Sequence, residues 1–450
     1  MKKLVSLLVA VMLLVSLSAV SLADEVVSEE SGVLKMYGPG LFASVGEDGV
    51  TDVITGTHKP GYSVLVDRWN ELYPNVQLVI DAIPWDNWKA AIQTAALSGD
   101  YDIIIHGNGN ADFCLDMTDI LAATPELSEN LNFYPLRRNP ENMTELRPYG
   151  ISYTANPNAA VIDLDILKDY GIETPDKTWT RDYLMQIAAT CTGTDPVTGK
   201  TTYGLSMNPA SNAQKNYIIL SRAFDNEIFE FSEKLADCKF NFNTDKTVQV
   251  LDYWKALGQY QSPDYAEGLD TVNAYTADND IAIIWTDDLY SQYKKIVANG
   301  CVDRYMFLEL PPVEAGSDIG LTSSNMADLN ICIYKYTPQV ELATKFLVFL
   351  STDPVAQQWL IDTGSIPNNV KYASTIDMPA QYLDAITDII STSPAGYNSS
   401  ASKWYDSTWF GTLQSDVVSQ SDLLLKGSIT SGEMAEYIQG TVDSYLASLN

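Results

Sequence analysis

Two histidines, His58 and His106, are all that this 450-residue chain contains. A Ser-His-Asp hydrolase would have to use one of them as its base, and no GxSxG turn is present to carry the nucleophile. Cysteine is also scarce: Cys114, Cys191, Cys238, Cys301 and Cys332 make an odd number with no CxxC pair. At most two disulfides could form, and small buried hydrophobes are the expected role for most of these thiols. With neither residue clustered, a zinc site has no ligands to draw on, so no metal and no cofactor are expected. The glycines of Gly107-Asn108-Gly109-Asn110 do not complete a GxGxxG phosphate loop, because position 112 is Asp. Positive charge is short too. Against 58 Asp and Glu stand 27 Lys and Arg, a formal charge of −31, or −33 without the two lysines of the leader described next. Such a surface repels phosphate backbones and anionic membranes, so nucleic acid is not an expected partner.

Long apolar runs are missing except at the start. MKKLVSLLVAVMLLVSLSAVSLA has a basic start, an apolar stretch and small residues at its end, the pattern of a secretory signal peptide over residues 1–23. An uncleaved anchor is the alternative reading. No later segment approaches the ~18 apolar residues of a membrane-spanning helix, and no cysteine follows the leader to take a lipid. An extracytoplasmic protein is expected, with residues 24–32 (DEVVSEESG) as a flexible acidic tether.

What is present is a normal globular interior, 46% hydrophobic and 10% aromatic, in a chain long enough for two or three domains. Val33–Tyr37 reads as a strand ended by Gly38-Pro39-Gly40. Tyr62, Leu65, Val66, Trp69, Leu72 and Tyr73 recur at helical spacing, and Pro74-Asn75 stops them. A strand from Val76, a helix from Trp88 closed by Gly99, and a strand over Asp102–Ile105 follow. This alternation predicts an α/β layer with a mostly parallel sheet, in which ligands bind beyond the carboxyl ends of the strands. Residues 134–158 hold four prolines and no helical period, and read as the crossing into a second lobe. Beyond it, Asp163–Gly171 predicts a short helix, Asp195–Met207 a turn feeding a strand, and Ile281–Ile284 a buried strand. Asp353-Pro354 predicts a helix start and Gly364 its stop. Thr430 and Glu433 predict a capping box, opening a last helix whose buried stripe is Met434, Tyr437, Ile438, Val442, Tyr445 and Leu446.

Several of these segments together are similar to one family. Trp69–Val76, then Ile83-Pro84-Trp85-Asp86-Asn87-Trp88 with Ala95–Ile105, then Tyr149–Asn158 with Leu164–Lys168, then Ala343–Trp359, and finally Gly364-Ser365-Ile366-Pro367 stand in the family's order. They resemble the extracellular solute-binding proteins of carbohydrate ABC importers, the maltose-binding-protein-like group. The resemblance covers about 33 to 450. It implies an α/β, two-lobe periplasmic-binding-protein-like fold of type II, with a three-pass hinge near 150, 324 and 377 and a ligand cleft between the lobes. It implies a first lobe of 33–149 plus 326–376 and a second of 150–325 plus 377–450. It implies capture of a sugar by hinge closure, delivery to the importer's transmembrane subunits, a monomer, and no catalysis. Two departures stand out: there is no lipobox cysteine, and His106 occupies a place where many relatives have tryptophan.

A sugar site needs planar amides and carboxylates to pair hydroxyls, and aromatic platforms for the C–H faces. The candidates lie at strand ends and lobe crossings: Tyr37, His106, Asn108, Tyr153, Asn208, Trp285, Asp287, Asp288 and Asn325. Trp404 and Trp409, in the polar stretch SSASKWYDSTWFG, join them on the strength of the resemblance. Trp85 and Trp88 read as core. Asp287 or Asp288 could equally cap a helix, and core packing competes for Trp285. Two rival readings remain. One is a binding protein of the same fold for a polyamine, metal chelate or phosphorylated small molecule. The other is a secreted glycan-active enzyme, which would need a pair of carboxylates that no local motif isolates.

Overall fold

The computed structural model describes residues 27–449, apart from 53–55, 108–109, 209–212, 225, 227, 267–272, 287, 311–328 and 393–407. The leader therefore lies outside the described residues. The first lobe opens with strand β1 (Ser31–Gly38), helix α1 (Ser63–Leu72), strand β2 (Asn75–Ala82), helix α2 (Trp88–Ser98) and strand β3 (Ile103–Ile105). Each element ends where the sequence tells it to: Gly99 closes α2 with a left-handed φ of 72°, which costs a glycine nothing. A hairpin of β4 (Leu136–Asn139) and β5 (Asn142–Pro148) follows, then the short β6 (Ile151–Ser152).

The second lobe contains β7 (Ala159–Asp163), β8 (Gly193–Thr194), β9 (Thr201–Ser206), α3 (Ala213–Ala223), α4 (Asp245–Gly258), β10 (Ile281–Thr286), α5 (Leu289–Ala298) and β11 (Tyr305–Leu308). The chain then returns to the first sheet through β12 (Asn330–Ile333), followed by α6 (Val340–Thr352) and α7 (Pro354–Thr363). It ends with α8 (Ala380–Thr392), which packs on β11, and with α9 (Thr408–Leu425) and α10 (Ser431–Ser448), which pack on α3 and α4.

Two five-stranded sheets carry the lobes. The first runs β2-β1-β3-β12-β6. Its β1 pairs in parallel with β2 from Ser31–Asn75 to Gly38–Ala82, and in parallel with β3, as the strand–helix alternation predicts. The returning β12 adds antiparallel to β3 and β6. The second sheet runs β8-β9-β10-β7-β11, with β9 and β10 parallel and the other neighbours antiparallel. All three residues of β3 and all six of β10 are buried, as expected of strands covered on both faces.

Helix ends follow their chemistry. Asp353 caps α7 by accepting from the N–H groups of Val355 and Ala356, with Pro354 at the first position, and Gly364 ends the helix at φ 96°. Thr430 and Glu433 form the expected capping box of α10. Met434, Ile438 and Val442 are buried there, but Tyr437 is 48% exposed, so the stripe is narrower than its spacing suggests. Asp195 accepts from the N–H groups of Val197 and Thr198, and Gly199 adopts φ 71°, turning the chain into β9. The Gly199-Lys200-Thr201 in that turn is not a phosphate loop: residue 194 is Thr rather than the required Gly, and Lys200 pairs with Asp278 at 2.9 Å. All five cysteines are buried thiols outside any disulfide.

At the junction, three stretches of chain lie side by side. The N–H of Tyr153 donates to the carbonyl of Leu329, and that of Ala155 to Ile366. Asn368 uses its side-chain amide to donate to the carbonyls of Ser152 and Phe133, both at 2.8 Å. The β4–β5 hairpin spans the lobes. Its root is bonded to the first lobe through Met117 and Pro148 and through the Arg147–Asp116 pair at 3.1 Å. Its tip reaches the second: Met143 is fully buried in that lobe's core, and Arg138 lies 3.8 Å over the ring of Phe231.

Candidate functional site

The run Ile103-Ile104-Ile105 ends at His106, which adopts a left-handed φ of 60°. That bend is pinned by β12: the His106 N–H donates to the Asn330 carbonyl at 2.7 Å, and the Gly107 N–H to Asn330 Oδ1 at 2.8 Å. Only glycine fits at 107. A Cβ there would stand 2.6 Å from Cys332 Sγ and 2.9 Å from Cys114 Sγ.

The imidazole of His106 is held edge-on by two indoles. Its centroid lies 5.0 Å from the Trp85 ring and 4.9 Å from the Trp88 ring, and the two indoles meet each other edge-on at 5.8 Å. Burial, then the charges of Lys89 and Lys215, push the imidazole down to about 3, so it is neutral at physiological pH. Its Nδ1 has no hydrogen-bond partner among the described residues.

Trp85 remains 42% exposed, and this overturns its reading as core. The residue sits before α2, on a loop where Asn87 also takes a left-handed φ of 55°. Trp88 is the first residue of α2 and is partly buried, packed on the cluster of Ile92, Ile104, Tyr149 and Cys332. Here the lobes touch. Lys89 Nζ lies 5.6 Å over the Trp88 ring and donates to Gln414 Oε1 of α9 at 2.7 Å. The second lobe thus places α9, together with Lys215 on α3, near the carboxyl end of β3.

The other candidates divide. Asn208 does follow β9 and is buried, but its side chain is committed: its backbone N–H and Nδ2 both donate to Asn216 Oδ1, and Asn216 Nδ2 returns a bond to the Asn208 carbonyl. The pair fixes the loop to α3, next to Lys215. Tyr37 is half-buried on β1 with its ring 4.7 Å from that of Tyr101. Tyr101 bonds Asp81, and burial with that bond pushes its hydroxyl up to about 12.

Two placements differ from the sequence reading. Tyr153 is 1% exposed and meets Phe42 edge-on at 5.9 Å, in the core of the first lobe. Trp285 is 1% exposed and, two residues from Ile283 on the same strand face, packs into the second lobe's helix-covered core. Asp288 precedes α5 with a left-handed φ of 69° and makes no side-chain cap there. Asn108, Asp287, Asn325 and Trp404 lie outside the described residues, and of Trp409 only its backbone position on α9 is described.

The residues the sequence reading passed over are Lys89, Lys215 and Gln414, and Trp85 is the one it read as core. One signal was available for Trp85. It falls outside the helical stripe that starts at Trp88, so periodicity lent its core reading no support.

The architecture can be set against known proteins. A family model described as bacterial extracellular solute-binding protein matches residues 55–357. The fold is similar to that of the sugar-binding protein MalE from Xanthomonas citri, with 15% identity, a TM-score of 0.68, and coverage of 93% of this chain and 98% of that one. It is similar to an ABC transporter solute-binding protein from Agrobacterium radiobacter K84 in complex with ribitol, with 17% identity, a TM-score of 0.64, and coverage of 91% and 98%. A third similar structure is the MalE maltose/maltodextrin-binding domain from Bdellovibrio bacteriovorus bound to maltotriose, with 14% identity, a TM-score of 0.63, and coverage of 92% and 100%. No curated protein matches the chain.

Proposed function

The chain belongs to the bacterial extracellular solute-binding proteins, and from that premise we propose that it is the capture component of an ABC importer for a sugar or oligosaccharide. The observation that carries this reading is the seam at His106. There a half-exposed indole, a second indole and a neutral imidazole from the first lobe stand at the point where Lys89 bonds Gln414 of the second. Aromatic faces supply area for sugar C–H surfaces with little rotor entropy, and amides and imidazole supply hydroxyl partners. Solved structures of this fold from other organisms hold ribitol, alpha-D-tagatose, D-mannitol and maltotriose, which supports a polyhydroxylated ligand.

In this reading the lobes comprise 33–149 with 326–376, and 150–325 with 377–450. Closure is a hinge motion favoured by the ligand because both lobes touch it. Trp85 and His106 form the first-lobe wall. Tyr37, Asn108, Asn208, Asp287, Asp288 and Asn325 ring the cleft, and Trp404 and Trp409 offer platforms from the second lobe. The chain acts as a monomer outside the cytoplasm and hands its cargo to the transmembrane subunits.

The test is a thermal-shift panel of mono- and oligosaccharides, polyols and polyamines on the purified protein. A bound sugar at a hundredfold excess over Kd adds about 2.7 kcal/mol of stability. A rise in melting temperature with a polyamine and with no saccharide would overturn the sugar reading.

A further inference from the structure

The helix that leads back into the junction ends without a cation of its own. α7 has no basic residue in its last turn, and Asp362 stands there instead, its carboxylate accepting from Gln358 Nε2 at 2.8 Å. The last carbonyls of a helix lack intrahelical partners and carry partial negative charge, so that end favours a cation. Here the cation comes from the other lobe. Lys294 of α5 donates from Nζ to the Ile361 carbonyl at 2.6 Å and to the Asp362 carbonyl at 3.4 Å. Its ammonium lies 4.8 Å over the Tyr290 ring, one turn earlier on α5, which aims the side chain. Burial lowers its pKa, Asp362 and Asp288 oppose that, and Lys59 adds to it. The two helices belong to different cores. Ala356, Trp359 and Leu360 of α7 pack with the first sheet, whereas Leu289 and Ile296 of α5 pack with residues of β10 and β11.

The contact lies between the strand end that leads to α5 and the junction itself. α5 leaves the carboxyl end of β10, where the sequence reading puts Asp287 and Asp288. Just beyond the acceptors of Lys294, Gly364 rests on α5: a Cβ there would stand 3.4 Å from the Cβ and Oγ of Ser291. Two residues further, Ile366 is in one of the three passes of the junction, its carbonyl accepting from the Ala155 N–H. The lobes also touch at Lys89 and Gln414, so the Lys294 bonds belong to a form with the lobes together. We propose that Lys294 is a positioning residue for closure: seated on the last carbonyls of α7, it holds the second lobe in the closed pose and raises the share of ligand-free molecules that adopt it. The inference rests on the hinge closure proposed above and is independent of which ligand is bound. A ligand gripped by both lobes binds only the closed pose, so its apparent affinity scales with the population of that pose. Lys294 then tunes affinity through the lobes rather than through the cargo.

The experiment is small-angle scattering of the full mature chain without any ligand, well below its melting temperature. Wild type is compared with Lys294→Met, which removes the charge and the donors, with Lys294→Gln, which keeps amide donors and drops the charge, and with Lys294→Arg, which keeps both. The expected result is a larger radius of gyration in Lys294→Met and Lys294→Gln, recovery of the wild-type radius in Lys294→Arg, and melting temperatures close to wild type throughout. The Gln variant carries the same test if the Met variant does not fold. A lysine that serves only packing would lower the melting temperature and leave the radius unchanged, and that outcome overturns the proposal. Superimposable scattering from all four proteins also overturns it, because the contact is then a fixed part of the junction. An Arg variant as expanded as the Met variant overturns it as well, since charge at this place is then not what closes the lobes. Failure of both uncharged variants to fold assigns Lys294 to the fold and ends the proposal. None of these results bears on the sugar reading, which the thermal-shift panel tests separately.

Discussion

His106 and its neighbours show how one position can be read in two ways from residue chemistry. The imidazole is held near 3 in the folded chain, far below its ordinary value of 6.5. Between those values the unfolded chain takes up a proton that the folded one refuses, so stability falls as pH drops from about 6.5 towards 3. His106→Gln should flatten that part of the dependence of melting temperature on pH between 4 and 8. If the two profiles superimpose, the imidazole is not buried as described. Trp85→Ala should weaken saccharide binding roughly tenfold, about 1.4 kcal/mol, while the melting temperature stays within a degree or two, because nearly half of the indole is already in solvent. Trp285→Ala should do the reverse, costing about 3–5 kcal/mol of stability as a fully buried indole is deleted. Urea unfolding of the two variants separates platform from core. Gly107→Ala should cost about 1–3 kcal/mol, since the added methyl meets two sulfurs at under 3 Å.

Elements were legible in the sequence wherever their signals are local. The strands and helices of the first lobe each carry a period and a stop: the Trp69 stripe with Pro74, the Trp88 stripe with Gly99, and the triple isoleucine with His106. The caps at Asp353 and Thr430 were readable for the same reason. Thr430→Ala should cost about 1 kcal/mol through loss of the box, measured by urea unfolding. Glu433 is held below its ordinary value mainly by the Thr430 backbone N–H and then by the hydroxyl. Its stabilising share is therefore present above the ordinary glutamate range and is lost as pH falls through the lowered one. What was not legible is long-range. Nothing near Asn330–Ile333 announces that this strand returns to the first sheet antiparallel to β3, because its partner lies more than two hundred residues earlier. The burial of Tyr153 depends on Phe42, which a helical or strand period cannot reveal. Lys89 and Lys215 meet at His106 only after two lobes have folded and docked, so charge counting alone could not pair them.

The molecule as a whole is two sheets joined by three neighbouring passes of chain and one bridging hairpin. Ligand binding should draw the lobes together, and small-angle scattering with and without a bound saccharide should record a smaller radius of gyration. Met143→Ala, which empties the seat of the hairpin tip, should expand the ligand-free form while costing about 2–5 kcal/mol. An unchanged radius in that variant would show that the tip does not restrain the lobes. The hairpin has a further consequence for how such a joint works. Three adjacent antiparallel passes alone would act as a simple axle, about which the mouth could gape as far as solvent allowed. A loop rooted beside Asp116 and anchored at Met143 is instead a leash of fixed length slung across the axle. The expected expansion of the Met143→Ala variant would make this leash, rather than any residue that touches the cargo, the limit on the widest aperture.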